Sequence, residues 1–341
     1  MNEQICLVPE LTGLGGMVSF QARMIAGLQA HGISHTFDIT DPENTAILVI
    51  GGTRHLWKLW RAKGRGVRVV QRLNGMNWIH RLEKTPARAY LRAEINNHIL
   101  AFIRRRMADH IVYQSNFSRD WWDRAFGPRP ISHQVTYNGV DLAHYTPNGP
   151  GTPPEDHYRL LLVEGHLAGA YARGLETAIK LADQVRASCD QALELLVVGD
   201  VGEDLKAQAY TLAPELWITW QGVVPREDIP AIDRSAHLLF SADLNAACPN
   251  SVIEALACGT PVLAYDTGAL AELVRDGAGE VVPYGANHWQ LEDPLIPPLA
   301  AACTRILQDN PAYRARARTR AEAAFSLESM VAGYLNALGV K

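Results

Sequence analysis

The sequence has no C-x-x-C pair, no long apolar run and little net charge, and each absence removes a class of protein. Its five cysteines (Cys6, Cys189, Cys248, Cys258, Cys303) are odd in number and far apart. Neither a disulfide framework nor a zinc site is expected, and a reducing cytoplasm is the simplest setting. No uninterrupted apolar stretch reaches the roughly 18 residues that a membrane span needs. The first residues, MNEQICLVPE, lack a basic n-region followed by an apolar h-region, so no signal peptide is expected. A net charge of −4 over 341 residues gives no global reason to expect nucleic acid as a partner.

What is present is a rhythm. At 341 residues the chain suits two domains. Strand-like runs (ICLVPE, ISHTFDIT, TAILVIGG, VRVVQRLNG, HIVYQS) alternate with helical ones such as ARAYLRAEINNHILAFIRRRMA, as strand–helix crossovers of a parallel sheet require. Residues 146–155, TPNGPGTPPE, hold four prolines and two glycines and can sustain neither a helix nor a central strand. The alternation then restarts with YRLLLVEG, LELLVVGD, WITWQGV, HLLFSA, TPVLAYD and GEVVPYG. The expected fold is α/β, with two tandem Rossmann-like, doubly wound domains over 1–148 and 156–325 and a linker at 149–155. A last helix, Leu327–Leu338, is apolar at Met330, Val331, Tyr334 and Leu338 and must pack on something.

Two local patterns carry chemistry. The glycine loop Gly13-Leu-Gly15-Gly16 lies between a strand and a helix, where backbone amides can approach a phosphate or sugar; it also suits a bare tight turn. A dinucleotide fingerprint would need glycine at position 18, and Val18 stands there, although Asp38 is spaced for a ribose contact. The second pattern is AACPNSVIEALACGTPVLAYDTG (246–268), in which a single acid, Glu254, interrupts an apolar helix. Ser251-x-x-Glu254 fits a capping box that satisfies backbone donors at a helix start. It equally fits a ligand site: a helix that follows a strand of a parallel sheet presents its start at the sheet's carboxyl edge. There, free amides hold phosphate while a carboxylate accepts from ribose hydroxyls.

CPNSVIEALACGTPV, followed by Gly268-x-x-x-Glu272, resembles the donor-binding half of family 4 glycosyltransferases. So do VYQSNFS (112–118), TYNGVDLAHYTP (136–147), Gly165-His-Leu167, LELLVVGD (193–200) and WQGVVPREDIP (220–230). The resemblance keeps the family's order over most of the chain. It implies the GT-B fold, with the donor in the C-terminal domain, the acceptor mainly in the N-terminal one, and a last helix (326–341) crossing back to the first domain. It further implies a retaining, metal-independent enzyme whose donor substrate is a nucleoside-diphosphate sugar, with no cofactor; the sequence has no D-x-D triplet of the kind that clamps a metal. The implied donor contacts are Gly15 and Gly16, His166 in the family's arginine position, Arg173, Asn250, Ser251 and Val252, with Glu254 on the ribose. Asn74, Asp243 and Arg173 are the implied catalytic residues.

The sequence also departs from the family. Of two glutamates separated by seven residues, the first should fall at 246, where Ala246 stands; Asp243 or Asn250 are the available substitutes. That departure supports an alternative, a catalytically weak sugar-nucleotide-binding protein, with a nicotinamide oxidoreductase behind it. The acceptor is not identified. Between Arg54 and Asp109, however, fourteen Lys or Arg face three acids, with Trp57, Trp60, Trp78 and Tyr90 interleaved. Such a segment suits a phosphate-bearing acceptor or a peripheral contact with an anionic membrane, Arg104, Arg105 and Arg106 included.

Overall fold

The computed structural model describes residues 3–13, 15–167 and 172–340; Met1, Asn2 and Leu14 of the glycine loop lie outside the described residues. The chain divides into two units, Met1–Gly139 with Leu327–Lys341, and Val140–Ser326. The first holds strands β1 (Gln4–Val8), β2 (Ser34–Thr36), β3 (Asn44–Ile50), β4 (Arg68–Leu73), β5 (His110–Tyr113) and β6 (His133–Val135). Its helices are α1 (Gly16–Ala30), α2 (Leu56–Gly64), α3 (Ala87–Arg106) and α4 (Asn116–Phe126). The second holds β7 (His157–His166), β8 (Ala192–Asp200), β9 (Trp217–Gly222), β10 (Leu238–Ser241), β11 (Val262–Tyr265) and β12 (Gly279–Val282). Its helices are α5 (Ala172–Arg186), α6 (Glu203–Leu212), α7 (Ile229–Arg234), α8 (Asn250–Ala257), α9 (Leu270–Leu273), α10 (Ile296–Gln308) and α11 (Asn310–Ala324); α12 (Leu327–Leu338) follows them and belongs to the first unit.

Each unit is one parallel six-stranded sheet, ordered β2-β1-β3-β4-β5-β6 and β12-β11-β10-β7-β8-β9. The unbroken aliphatic runs have this cause: helices cover both faces of a parallel sheet, so AILVI in β3 and LLL in β7 are buried with little alternation. In both units the first strand has chain on either side of it. The strand order therefore reverses between β1 and β3, and again between β7 and β10, and a crevice opens at the carboxyl ends of such a pair.

One face of the first sheet packs on α1 and α12, where Ile5, Leu7, Phe20, Met24, Met330, Val331 and Tyr334 share a cluster. The two helices approach so closely that a Cβ at Gly27 would collide with Val331. This is the surface that the apolar side of α12 requires. The proline-rich stretch behaves otherwise than as a linker. Arg234 Nε donates to Pro150 O at 2.7 Å and Nη1 to Thr146 O at 3.0 Å, and a Cβ at Gly151 would collide with Ala231 O. Residues 149–155 are thus bound into the second unit, and the division falls at Gly139–Val140. A segment unable to make ladder bonds has been satisfied by a side-chain donor instead.

Candidate active site

The crevice of the second unit is where most of the expected donor residues lie. β10 ends at Ser241, a loop covers 242–249, and α8 begins at Asn250 with Pro249 as its N-cap and no side-chain cap. A capping box would need Ser251 at the N-cap. The N-cap is Pro249, two residues earlier, so Glu254 is the fifth residue of the helix and not the third, and lies beyond capping reach. The capping reading of Glu254 is therefore discarded. Its side chain is buried, on a helix buried from Val252 to Ala257. Burial, with the nearby Glu254 as a second cause, pushes the carboxyl of Asp233 on α7 well above its ordinary range.

The loop before α8 is held from the other side. Ala269 N donates to Ala246 O at 2.8 Å. Gly268, at φ 63°, comes so near that a Cβ would lie 2.5 Å from Ala246 N and O. The Asp-Thr-Gly turn is thus a clamp on the loop, and its glycine is fixed by both dihedral and space. Asn245 beside it is left-handed at φ 56°. Its side-chain oxygen and nitrogen are buried without a hydrogen-bond partner among the described residues. Strain and an unmade hydrogen bond at one residue are features that cluster at functional loops.

Sequence reasoning missed Glu164. Leu161 of β7 lies opposite Leu239 of β10, so Glu164 and Asp243 meet at the carboxyl ends of these strands, on the strand-order reversal itself. Burial and the charge of Asp243 push Glu164 up to about 8, and burial pushes Asp243 up to about 7. Like carboxyls in one half-buried place titrate as a pair and keep protons near neutrality. The only signal in the sequence was an acid closing an aliphatic run, LLLVEG.

Two further donor candidates, His166 and Arg173, have partners of their own. His166 Nδ1 lies 2.9 Å from Asp200 Oδ2, with the ring exposed. Arg173 Nη1 donates to Leu291 O at 3.1 Å and is 3.7 Å from Asp293 Oδ1. Exposed pairs of this kind are worth at most about 1 kcal/mol and exchange readily for a better anion.

In the first unit, Gly15 is the N-cap of α1 at φ 120° and Gly16 is its first residue. A Cβ at Gly15 would meet nothing within 4 Å, so the dihedral, and not crowding, demands glycine. Asn74 follows β4, and its carbonyl is pinned by Trp122 Nε1 at 2.7 Å and Ser118 Oγ at 3.2 Å. Its side chain lines a cleft of 960 Å³ together with Pro9, Gly51, Gly52 and Thr53. Asp38, spaced for a dinucleotide ribose, instead closes a local turn by accepting from Thr40 N and Oγ1.

The basic segment needs correction as a uniform charged face. Arg104 is buried, donating to Tyr113 Oη and Gly127 O and pairing with Asp123. Lys63 pairs with Asp109 and Arg81 with Glu94; Arg65 and Arg68 bond backbone carbonyls. These cations hold the unit together. No group of three His, Cys, Asp or Glu close enough to hold a metal ion occurs among the described residues, and none of their helices is long and apolar enough to cross a membrane.

Two parallel doubly wound units in tandem are the GT-B fold, and solved structures agree over the chain's length. Sucrose-phosphate synthase (tll1590) from Thermosynechococcus elongatus gives a TM-score of 0.71 at 17% identity, over 98% of both chains. Anabaena Alr3699/HepE, solved with UDP and glucose, gives 0.70 at 18%, over 99% of both. Residues 155–323 match the family model described as Glycosyl transferases group 1. D-inositol 3-phosphate glycosyltransferase of Salinispora arenicola (strain CNS-205) is 30% identical over 236 residues, 62% of this chain. The match spans only half of that relative's length.

Proposed function

We propose that the chain is a retaining glycosyltransferase of the family 4 type, using a nucleoside-diphosphate sugar as donor and no metal ion in the transfer. The observation that carries this reading is the start of α8. It lies beside a strand-order reversal, without a side-chain cap, and with a buried acid that is not needed for capping. The likeness to a protein solved with UDP supports the donor class.

In this reading the amides of Asn250, Ser251 and Val252 hold the diphosphate, Arg173 and His166 turn to it from their exposed acids, and Glu254 accepts from the ribose. Asp243 and Glu164, protonated in part, face sugar hydroxyls better than phosphate. Gly15, Gly16 and Asn74 serve the first unit's own crevice, where the acceptor binds. As the anomeric C–O bond to phosphate breaks, charge builds on the leaving oxygen and is stabilised by Arg173 and the helix start. The acceptor hydroxyl bonds to the anomeric carbon on the same face and gives its proton to the departing diphosphate. No protein base is then required.

Glu254→Ala tests the donor site. Losing a hydrogen bond to a charged group costs about 1.5–3 kcal/mol, or roughly 10- to 150-fold in UDP-sugar affinity by calorimetry. Unchanged affinity in a folded variant would remove Glu254 from the ribose. A second reading, a sugar-nucleotide-binding protein with little turnover, is favoured by Ala246. Its side chain is buried at the family's first acid position and offers nothing to a developing positive charge. UDP-sugar binding without transferred or hydrolysed product would select it.

A further inference from the structure

The 960 Å³ cleft of the first unit has a composition that points to its ligand. It lies at the carboxyl ends of β1, β3 and β4, where the strand order reverses, and is floored by Gly51 and Gly52. Gly51 sits at φ 75°, and a Cβ at Gly52 would approach Leu100 on α3 to 2.9 Å. The lack of a side chain at Gly52 lets α3 come down onto the loop. One side of α3 then forms the wall: Arg88, Leu91, Arg92, Ile95, Asn96 and Ile99 recur at helical spacing and all line the cleft. Arg54, two residues after Gly52, lines the same space.

No aspartate or glutamate lines it. Several other cations of the segment are taken up by acids or carbonyls, as with Lys63, Arg65, Arg81 and Arg104, and those that are not, such as Arg105 and Arg106, lie outside the cleft. Arg54, Arg88 and Arg92 form no ion pair or hydrogen bond among the described residues. Three guanidinium groups gathered without a counter-charge repel one another, and a shared anion relieves that repulsion. Their planar forks match a phosphate's oxygens. Asn74, Asn77, Asn96 and Thr53 add neutral donors and acceptors suited to hydroxyls, and Leu91, Ile95 and Ile99 supply an apolar side.

We infer that this cleft binds a phosphate-bearing polyhydroxy compound, its phosphate held by Arg54, Arg88 and Arg92, and that this compound is the acceptor. The phosphate can belong to a soluble ester or to a lipid headgroup; the chemistry at the arginines is the same. As an acceptor assignment the inference rests on the function proposed above, whereas the binding itself is measured without any donor. Failure of the donor reading therefore leaves this test standing.

The test uses the full chain with three probes: glucose 6-phosphate, glucose, and phosphatidylcholine vesicles with and without phosphatidylinositol. Calorimetry reads the first two and co-sedimentation the third. Saturable binding of glucose 6-phosphate but not glucose is expected for a soluble source, and binding only to the phosphatidylinositol vesicles for a lipid one. In either case Arg88→Gln with Arg92→Gln weakens binding by about tenfold or more, while thermal stability stays unchanged because both side chains are exposed. Arg105→Gln with Arg106→Gln removes the same charge from α3 outside the cleft and leaves binding within about twofold. Equal losses from both double variants would reduce the effect to general electrostatics and overturn the inference. So would binding of glucose as tight as its phosphate ester, or no saturable binding of any phosphate-bearing probe.

Discussion

The two crevices of this chain are built alike and lined differently. In each, a parallel sheet reverses its strand order and loops splay apart at the carboxyl ends, between β1 and β3 in one and β7 and β10 in the other. The first is lined by three arginines and no acid. The second holds the Glu164–Asp243 pair at its centre, and its cation Arg173 is engaged with Leu291 and Asp293. Topology thus supplies the place for a ligand, and a few side chains at the strand ends decide its charge. A pair of half-neutral acids reads hydroxyls while the α8 start reads phosphate, so the second crevice divides one ligand between two chemistries. The first gathers its charge for a single anion.

The comparison is broken most severely at Arg104, which looks in sequence like its neighbours but belongs to the fold. Arg104→Ala strips a buried guanidinium from Asp123 and Tyr113, and is expected to lower unfolding free energy by about 3 kcal/mol in urea. Arg105→Ala, one residue on and exposed, is expected to change it by less than about 0.5 kcal/mol.

Arg173→Ala sharpens the contrast on the donor side. UDP affinity should fall about tenfold while uridine affinity stays constant, because only the former offers a diphosphate. Equal losses for both, measured by calorimetry, would identify a packing defect in place of a lost phosphate contact.

A smaller effect concerns the carboxyl pair. Raised values mean that the folded chain keeps protons that the unfolded chain sheds, so stability declines as pH rises from about 4 towards about 8, the value of Glu164. Asp243→Asn should flatten the fall of Tm between pH 5 and 8. It should also raise UDP affinity at pH 8 by a factor of about five, the equivalent of ~1 kcal/mol of like-charge repulsion, and leave it unchanged at pH 5. A variant whose Tm profile matches the parent would show that the pair does not titrate as described.

Much of the fold was legible because burial writes itself into residue type. The aliphatic runs in β3, β7 and β8 admit few readings, and the apolar face of Leu327–Leu338 required a partner that the cluster with Phe20 and Met24 provides. The strand β6 passed unread, since three residues at a sheet edge carry no pattern. Charge was read less well. A count of +11 between Arg54 and Asp109 treats Arg104 and Arg92 alike, yet one fills a buried ion pair and the other faces a cleft, and only the helical phase of α3 separates them. The capping box at Ser251 failed by two residues because the N-cap is Pro249. Glu164 was invisible for a different reason: its significance depends on Asp243, 79 positions away, and on two strands becoming neighbours.

The packing of α12 against α1 sets an order of events on the ribosome. The first unit's core includes Met330, Val331, Tyr334 and Leu338, which are translated only after the whole of Val140–Ser326. The unit that is begun first is therefore closed last. Until α12 emerges, the apolar surface around Phe20 and Met24 waits open while the second unit is already able to fold, and it is that nascent face which chaperones would meet.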